Sequence, residues 1–134
     1  MAAELTVRGL QKTIDDYVSE RGWKRYHKPK DVAIAMAIES SELLELFQWM
    51  PDSEVMGKLD EGFKNRIGEE LADTVIYAVC MANAIGLDFS GALLNKIEKN
   101  RLKYPLDKVS KARNWDEVRS LREKPLEETG DDID

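Results

Sequence analysis

Apolar side chains recur along this chain at intervals of three and four residues, the period of an α-helix, and no segment reads as a strand. In the first segment, "LTVRGLQKTIDDYVSERG", Leu10, Ile14, Tyr17 and Val18 fall on one helical face. Thr6 is placed to cap its start and Gly22 to stop it. A polar connection, "WKRYHKPK", follows, with Pro29 ending one element and Asp31 capping the next. A second helix is expected from about Val32 to Trp49, where Pro51 forbids continuation. "PDSEVMGKLDEGF" reads as a glycine-punctuated connection with room for a short helical turn. A third helix, roughly Lys64 to Ile85, carries Ile67, Leu71, Val75, Ile76, Val79 and Ala82 along one broad stripe. Gly86 suits the position past its C-terminus, and Asp88 is placed to cap a fourth helix. That helix holds Phe89, Ala92, Leu93, Ile97 and Asn100 and stops near "KYP". Further on, Asn114 and Glu117 have capping-box spacing for one short helix. The pattern predicts an all-α protein, a four-helix bundle with a short extra C-terminal helix.

Length and charge narrow the picture. A chain of 134 residues suffices for one domain with a real core and hardly for two. With 43% hydrophobic and 34% charged residues the composition is globular rather than disordered. The net charge is -6, but the last eight residues, "EETGDDID", carry -5 and leave about -1 for the other 126. That acidic tail is expected to be solvated and disordered. No basic stripe appears, so duplex nucleic acid is not an expected partner. Cys80 is the only cysteine, which excludes a disulfide framework, and its setting in "VIYAVCMANAI" predicts a buried, inert thiol. No run reaches membrane-span length and no signal-like segment opens the chain, so a cytoplasmic protein without a membrane partner is expected. His27, the single histidine, lies in the proline-flanked connection, where it is expected to be exposed.

The stretch "VAIAMAIESSELLELFQWM" raises the chemical question, because it sets Glu39, Glu42 and Glu45 into an apolar run. Glu39 and Glu42, three apart, share a face of the second helix; Glu70 and Asp73 form a matching pair on the third. Spacing alone is a weak signal where 26 of 134 residues are acidic. The surroundings strengthen it. Glu39 has Ala35, Met36 and Leu43 on adjacent turns, Glu42 has Ile38 and Leu46, and Asp73 has Ile76 and Tyr77. Four carboxylates converging between packed helices cannot all stay ionised without a cation between them. An all-oxygen set without His or Cys selects Mg²⁺ or Mn²⁺. Magnesium held this way is commonly completed by substrate phosphates. The fourth helix ends in "KIEKNRLKYP", with Lys96, Asn100, Arg101, Lys103 and Tyr104 close together, and Trp23, Trp49 and Tyr77 offer stacking faces.

With these residues in view, the chain resembles the MazG-like nucleoside triphosphate pyrophosphohydrolases, in their dCTP pyrophosphatase-like branch. The family pattern Glu-x-x-Glu, a gap, then Glu-x-x-Asp is met by Glu39-Ser-Ser-Glu42, 27 intervening residues and Glu70-Leu-Ala-Asp73. "ERGWKRYHKP", "ELLELFQW" and "NRLKYP" are similar to the corresponding stretches of that branch, and the likeness spans roughly residues 5 to 105. Ser40 and Ser41 stand where many relatives carry Gly or Ala, and the segment after Pro105 departs from the usual short tail. The resemblance implies that Glu39, Glu42, Glu70 and Asp73 are catalytic and bind Mg²⁺, with Mn²⁺ as a substitute. It implies that Trp23, His27, Trp49 and Tyr77 line the nucleoside pocket, and that Lys96, Asn100, Arg101, Lys103 and Tyr104 face the triphosphate from the same or a neighbouring subunit. The implied reaction cleaves the α–β phosphoanhydride of dCTP or related nucleotides, modified ones included, to a nucleoside monophosphate and pyrophosphate. Either Glu39 or Glu42 would orient the attacking water. The implied assembly is a homodimer or homotetramer, and the implied role is house-cleaning of the nucleotide pool.

Residues 1–105 are thereby assigned to the helical domain, 106–126 to a partly helical extension and 127–134 to the acidic tail. The competing reading is a non-catalytic module of the same fold that senses nucleotides or binds a partner. It predicts a degenerate acid quartet, whereas all four acids are present. A di-iron carboxylate bundle needs Glu-x-x-His pairs, which His27 does not form.

Overall fold

Local signals at the helix ends set the architecture, which the computed structural model describes for residues 5–122. Helix α1 (Val7–Glu20) starts at Thr6, whose hydroxyl accepts the Gly9 amide at 3.0 Å. It stops before Gly22, whose φ of 64° lies in the left-handed region where the absence of a Cβ removes the steric penalty. A 3₁₀ turn, Trp23–Tyr26, leads into α2 (Pro29–Glu45).

Two sequence expectations are corrected here. Pro29 opens α2 instead of ending the preceding element, and Lys28 rather than Asp31 holds the cap position. Proline's fixed φ suits a first helical turn, where a missing N–H removes no bond, and Asp31 serves instead in that turn beside the positive end of the dipole. Helix α2 also ends at Glu45, short of Trp49. Pro51 disfavours helical backbone at Met50, and Phe47 meets the ring of Phe63 edge to face at 5.8 Å. Trp49 takes a φ of 66° in the turn that results.

The connection contains the single-turn α3 (Asp52–Val55) and a 3₁₀ turn, Met56–Lys58. Helix α4 (Glu61–Ala84) is capped by Asp60, which accepts the Phe63 amide at 2.8 Å, and so begins before Lys64. It closes with the Leu87 amide donating to the Ala82 carbonyl at 2.8 Å and Gly86 at φ 67°, a Schellman ending. Then follow α5 (Phe89–Lys103), the single-turn α6 (Leu106–Val109), which the apolar pattern did not suggest, and α7 (Trp115–Arg122). Half of the expected capping box of α7 forms: the Glu117 amide donates to Asn114 Oδ1 at 3.0 Å, while the Glu117 carboxylate accepts the amide of Arg113, one residue before the cap, at 2.9 Å. Every regular element among the described residues is helical. The acidic tail 127–134 and the end of the 106–126 extension lie outside the described residues.

The chain divides into two packing units, Met1–Ser90 and Gly91–Asp134, with the boundary inside α5. In the first, α2 packs mainly on α4, and α1 packs on α4 as well. Their core is Ile14 and Val18 of α1, Val32 of α2, and Val79 and Cys80 of α4, with Leu10, Tyr77, Met81 and Phe89 around it. Gln11 clips α1 to the turn after α4. Its Nε2 donates to Asn83 Oδ1 at 3.2 Å and to the Leu87 carbonyl at 3.0 Å, and its Oε1 accepts the Phe89 amide at 3.3 Å. The apolar stripe of α4 is split: Val79 and Ala82 are buried, whereas Leu71, Val75 and Ile76 are exposed. No single helix among the described residues is long and apolar enough to cross a membrane.

Candidate functional site

The three-residue spacing places Glu39 and Glu42 on one face of α2, and Glu70 and Asp73 on one face of α4. Packing of these helices brings the faces together. Carboxylate oxygens of Glu39, Glu70 and Asp73 lie within 4.8 Å of one another. Glu42 stands outside this tight group, yet its charge reaches both Glu39 and Glu70. Burial, and after it Glu42, holds the Glu39 carboxyl above the usual carboxylate range; the same two causes raise Glu70. The acids line the helix interface only in part, since Glu39 and Glu70 are half-buried while Glu42 and Asp73 are exposed. Ser40 and Ser41 donate to the Met36 and Ala37 carbonyls, each at 2.8 Å, and are thus satisfied within α2.

The acid group passes a simple fit test for a metal. Ligands on opposite sides of an ion held at about 2.1 Å are about 4.2 Å apart. Oxygens within 4.8 Å of one another are close to that span, so a small inward shift of the carboxylates would let them share a single divalent cation, and oxygen-only donors suit a hard one.

Beside the acids lies a cavity of about 420 Å³ between α1, the 3₁₀ turn and α4. Leu10, Ile14 and Tyr17 come from α1, Trp23 and His27 from the turn region, and Asp73, Ile76, Tyr77 and Cys80 from α4. Tyr17 and Trp23 meet edge to face, with centroids 5.8 Å apart and planes at 80°. Tyr77 connects the cavity to the acids: burial first, then the Glu39 carboxylate, pushes its hydroxyl above the ordinary phenol range. Cys80 is 3% exposed, and burial with the nearby Asp15 raises its thiol, as expected for an inert side chain. His27 corrects the expectation of an exposed loop residue. It is half-buried and also borders a second cavity, of about 220 Å³, containing the Lys24–Asp15 ion pair.

Of the four proposed nucleoside contacts, Trp23, His27 and Tyr77 thus line one cavity. Trp49 does not; it is 92% exposed in the turn after α2. Lys96, Asn100, Arg101 and Lys103 lie on the later turns of α5, with Tyr104 just beyond, all in the second unit. Arg101 is ion-paired with Glu98, and the Tyr104 amide donates to the Asn100 carbonyl at 2.8 Å. Sequence reasoning missed Tyr17 as a cavity wall, counting it only in the stripe of α1. The signal was present in "YVSERGW", where an arginine one turn after the tyrosine stands two residues before a tryptophan.

Comparison with known proteins supplies the remaining findings. The sequence profile of the MazG-like family matches residues 34–117. The chain is 35% identical over 107 residues to dCTP pyrophosphatase 1 of Bos taurus, covering 78% of this chain and 63% of that protein. It is 34% identical over 106 residues to dCTP pyrophosphatase 1 of Homo sapiens, covering 76% and 61%. The chain therefore spans somewhat over three fifths of the length of these relatives. A crystal structure of a pyrophosphatase from Archaeoglobus fulgidus superposes with a TM-score of 0.66 at 36% identity, covering 73% of this chain and 91% of that one. The all-α fold expected from the sequence agrees with that likeness.

Proposed function

This chain belongs to the MazG-like family, and on that premise we propose that it is a Mg²⁺-dependent nucleoside triphosphate pyrophosphohydrolase acting on dCTP or related nucleotides. The observation that carries the reading is the double position of Asp73, a member of the acid group and a wall of the apolar cavity. A nucleoside held in the cavity has its phosphates beside the acids. Glu39, Glu70 and Asp73, with Glu42 adjacent, are the residues that would hold the metal. When bound, Mg²⁺ supplies charge neutralisation for the phosphate oxygens and Lewis acidity. Water attacks the α-phosphorus, the bond to the bridging oxygen breaks, pyrophosphate leaves and the monophosphate remains. Of the two acids considered for orienting that water, Glu42 is favoured because the tight group does not include it.

Trp23, His27 and Tyr77 take the nucleoside, and Trp49 supplies a further stacking face from outside the cavity. Lys96, Asn100, Arg101, Lys103 and Tyr104 serve the triphosphate, in this subunit or for a neighbour. A homodimer or homotetramer in the cytoplasm is the proposed assembly, supported by Ile34 and Ile38 on α2 and Leu71 and Val75 on α4, large apolar side chains that this chain leaves exposed and a partner copy would cover.

The test is pyrophosphate release from the common ribo- and deoxyribonucleoside triphosphates with Mg²⁺, beside EDTA and a Glu42→Gln variant. Metal-dependent release by the native chain, greatest with dCTP and lost in the variant, is expected. No release above the variant for any nucleotide would overturn the enzyme reading and leave the acids as a structural or ion-binding cluster.

A further inference from the structure

Tyr17, a wall of the cavity, is covered by a side chain that is not itself part of the lining. Arg21 follows α1 directly and sits with its guanidinium carbon 3.7 Å from the Tyr17 ring centroid and 5.9 Å from that of Trp23. Its Nη1 donates to the Tyr17 carbonyl at 3.0 Å, one turn back along the helix. Tyr17 and Trp23 are themselves in edge-to-face contact and are both cavity walls.

We propose that Arg21 is a positioning residue for the nucleoside: it clamps Tyr17 through ring and carbonyl together and so holds the Tyr17–Trp23 pair in the shape the cavity presents. The inference rests on reading the cavity as the nucleoside pocket. Both rings are substantially exposed, and Trp23 begins only a short 3₁₀ turn, so packing alone leaves them freedom. A cation over a ring restricts it, and a guanidinium does so while its fork also bonds a carbonyl, which an ammonium cannot reproduce. A wall ordered before the ligand arrives lowers the entropy lost on binding. Glu20 lies 3.5 Å from the same guanidinium, so the charge of Arg21 is partly met at the helix end. Since Arg21 acts on the nucleoside wall rather than on the acids, its loss weakens ground-state and transition-state binding alike. Such a loss raises KM and spares kcat.

Steady-state pyrophosphate release from dCTP with Mg²⁺, using the full chain, tests this with Arg21→Ala, Arg21→Lys, Tyr17→Leu and the Arg21→Ala/Tyr17→Leu double variant. Arg8→Gln, which removes an exposed ion pair with Asp88, is the control, and circular dichroism melts check folding. Arg21→Ala is expected to raise KM roughly five-fold, with kcat within about two-fold of native. Arg21→Lys should recover less than half of that loss, and removing Arg21 should add nothing once Tyr17→Leu has removed the ring. Native KM in Arg21→Ala, a fall in kcat at unchanged KM, or additive losses in the double variant would overturn the clamp while leaving the proposed function intact. If Arg21→Ala does not fold, native KM in Arg21→Lys overturns it equally. No release by the native chain from any nucleotide would overturn both.

Discussion

The aromatic cavity and the acid cluster share Asp73, yet the forces within them have opposite sign. In the cavity wall Tyr17, Trp23 and Arg21 attract one another, and the chain alone holds them in place. In the cluster Glu39, Glu42, Glu70 and Asp73 carry like charge, and the packing of α2 on α4 holds them together against their repulsion. The contrast teaches that the aromatic wall is held by its own attractive contacts, whereas the acids carry an electrostatic demand that a bound cation would satisfy.

The largest effects should come from breaking the repulsive half. Glu39→Gln or Asp73→Asn is expected to lower pyrophosphate release at least about 100-fold, because even partners behind a metal ligand commonly cost 10- to 100-fold. Steady-state assays with and without EDTA measure this, and retention of native turnover in either variant would detach the cluster from catalysis. Breaking the attractive half should act on binding instead. Trp23→Ala is expected to raise KM on the order of ten-fold, the size of one lost base-stacking contact, with kcat retained. Trp49→Ala, measured beside it, sharpens the comparison: a larger rise there would move the nucleoside out of the cavity that Trp23 lines.

Stability separates the two halves without any turnover. Mg²⁺ at about a hundred times its dissociation constant should stabilise the native chain by about 2.7 kcal/mol, a shift of several degrees in a thermal melt. Glu39→Gln should melt above the native protein in EDTA, since it removes one repelling charge, and should gain less from Mg²⁺. An equal gain in both proteins would show that the ion binds elsewhere. The smallest effect concerns Cys80. Burial holds its thiol high, so little thiolate exists at mildly alkaline pH, and alkylation should be slow in the native state and fast in denaturant. As the cysteine lines the cavity, nucleotide should slow labelling further. Rapid native labelling indifferent to nucleotide would mean that the cavity opens freely to water.

Much of this was legible from the residues in order, because it depends on neighbours a turn away. Thr6, Gly22 and Gly86 mark helix ends through local backbone chemistry, and Asn114 with Glu117 does the same for α7. The pairing of Glu39 with Glu42 and of Glu70 with Asp73 follows from helical period alone. Where the reading slipped, a longer-range contact or a competing local preference intervened, as when Phe47 turned onto Phe63 and ended α2 early. The sequence by itself determined that the chain is helical, where most helices stop, and that the acids come in facing pairs, since the period and the caps act within one or two turns. Only the tertiary structure decided that the two pairs meet, that Trp49 stays outside the cavity, and that Val79 is buried while Val75 is not. Burial and convergence depend on which helix faces pack, and that is settled by surfaces far apart in the chain.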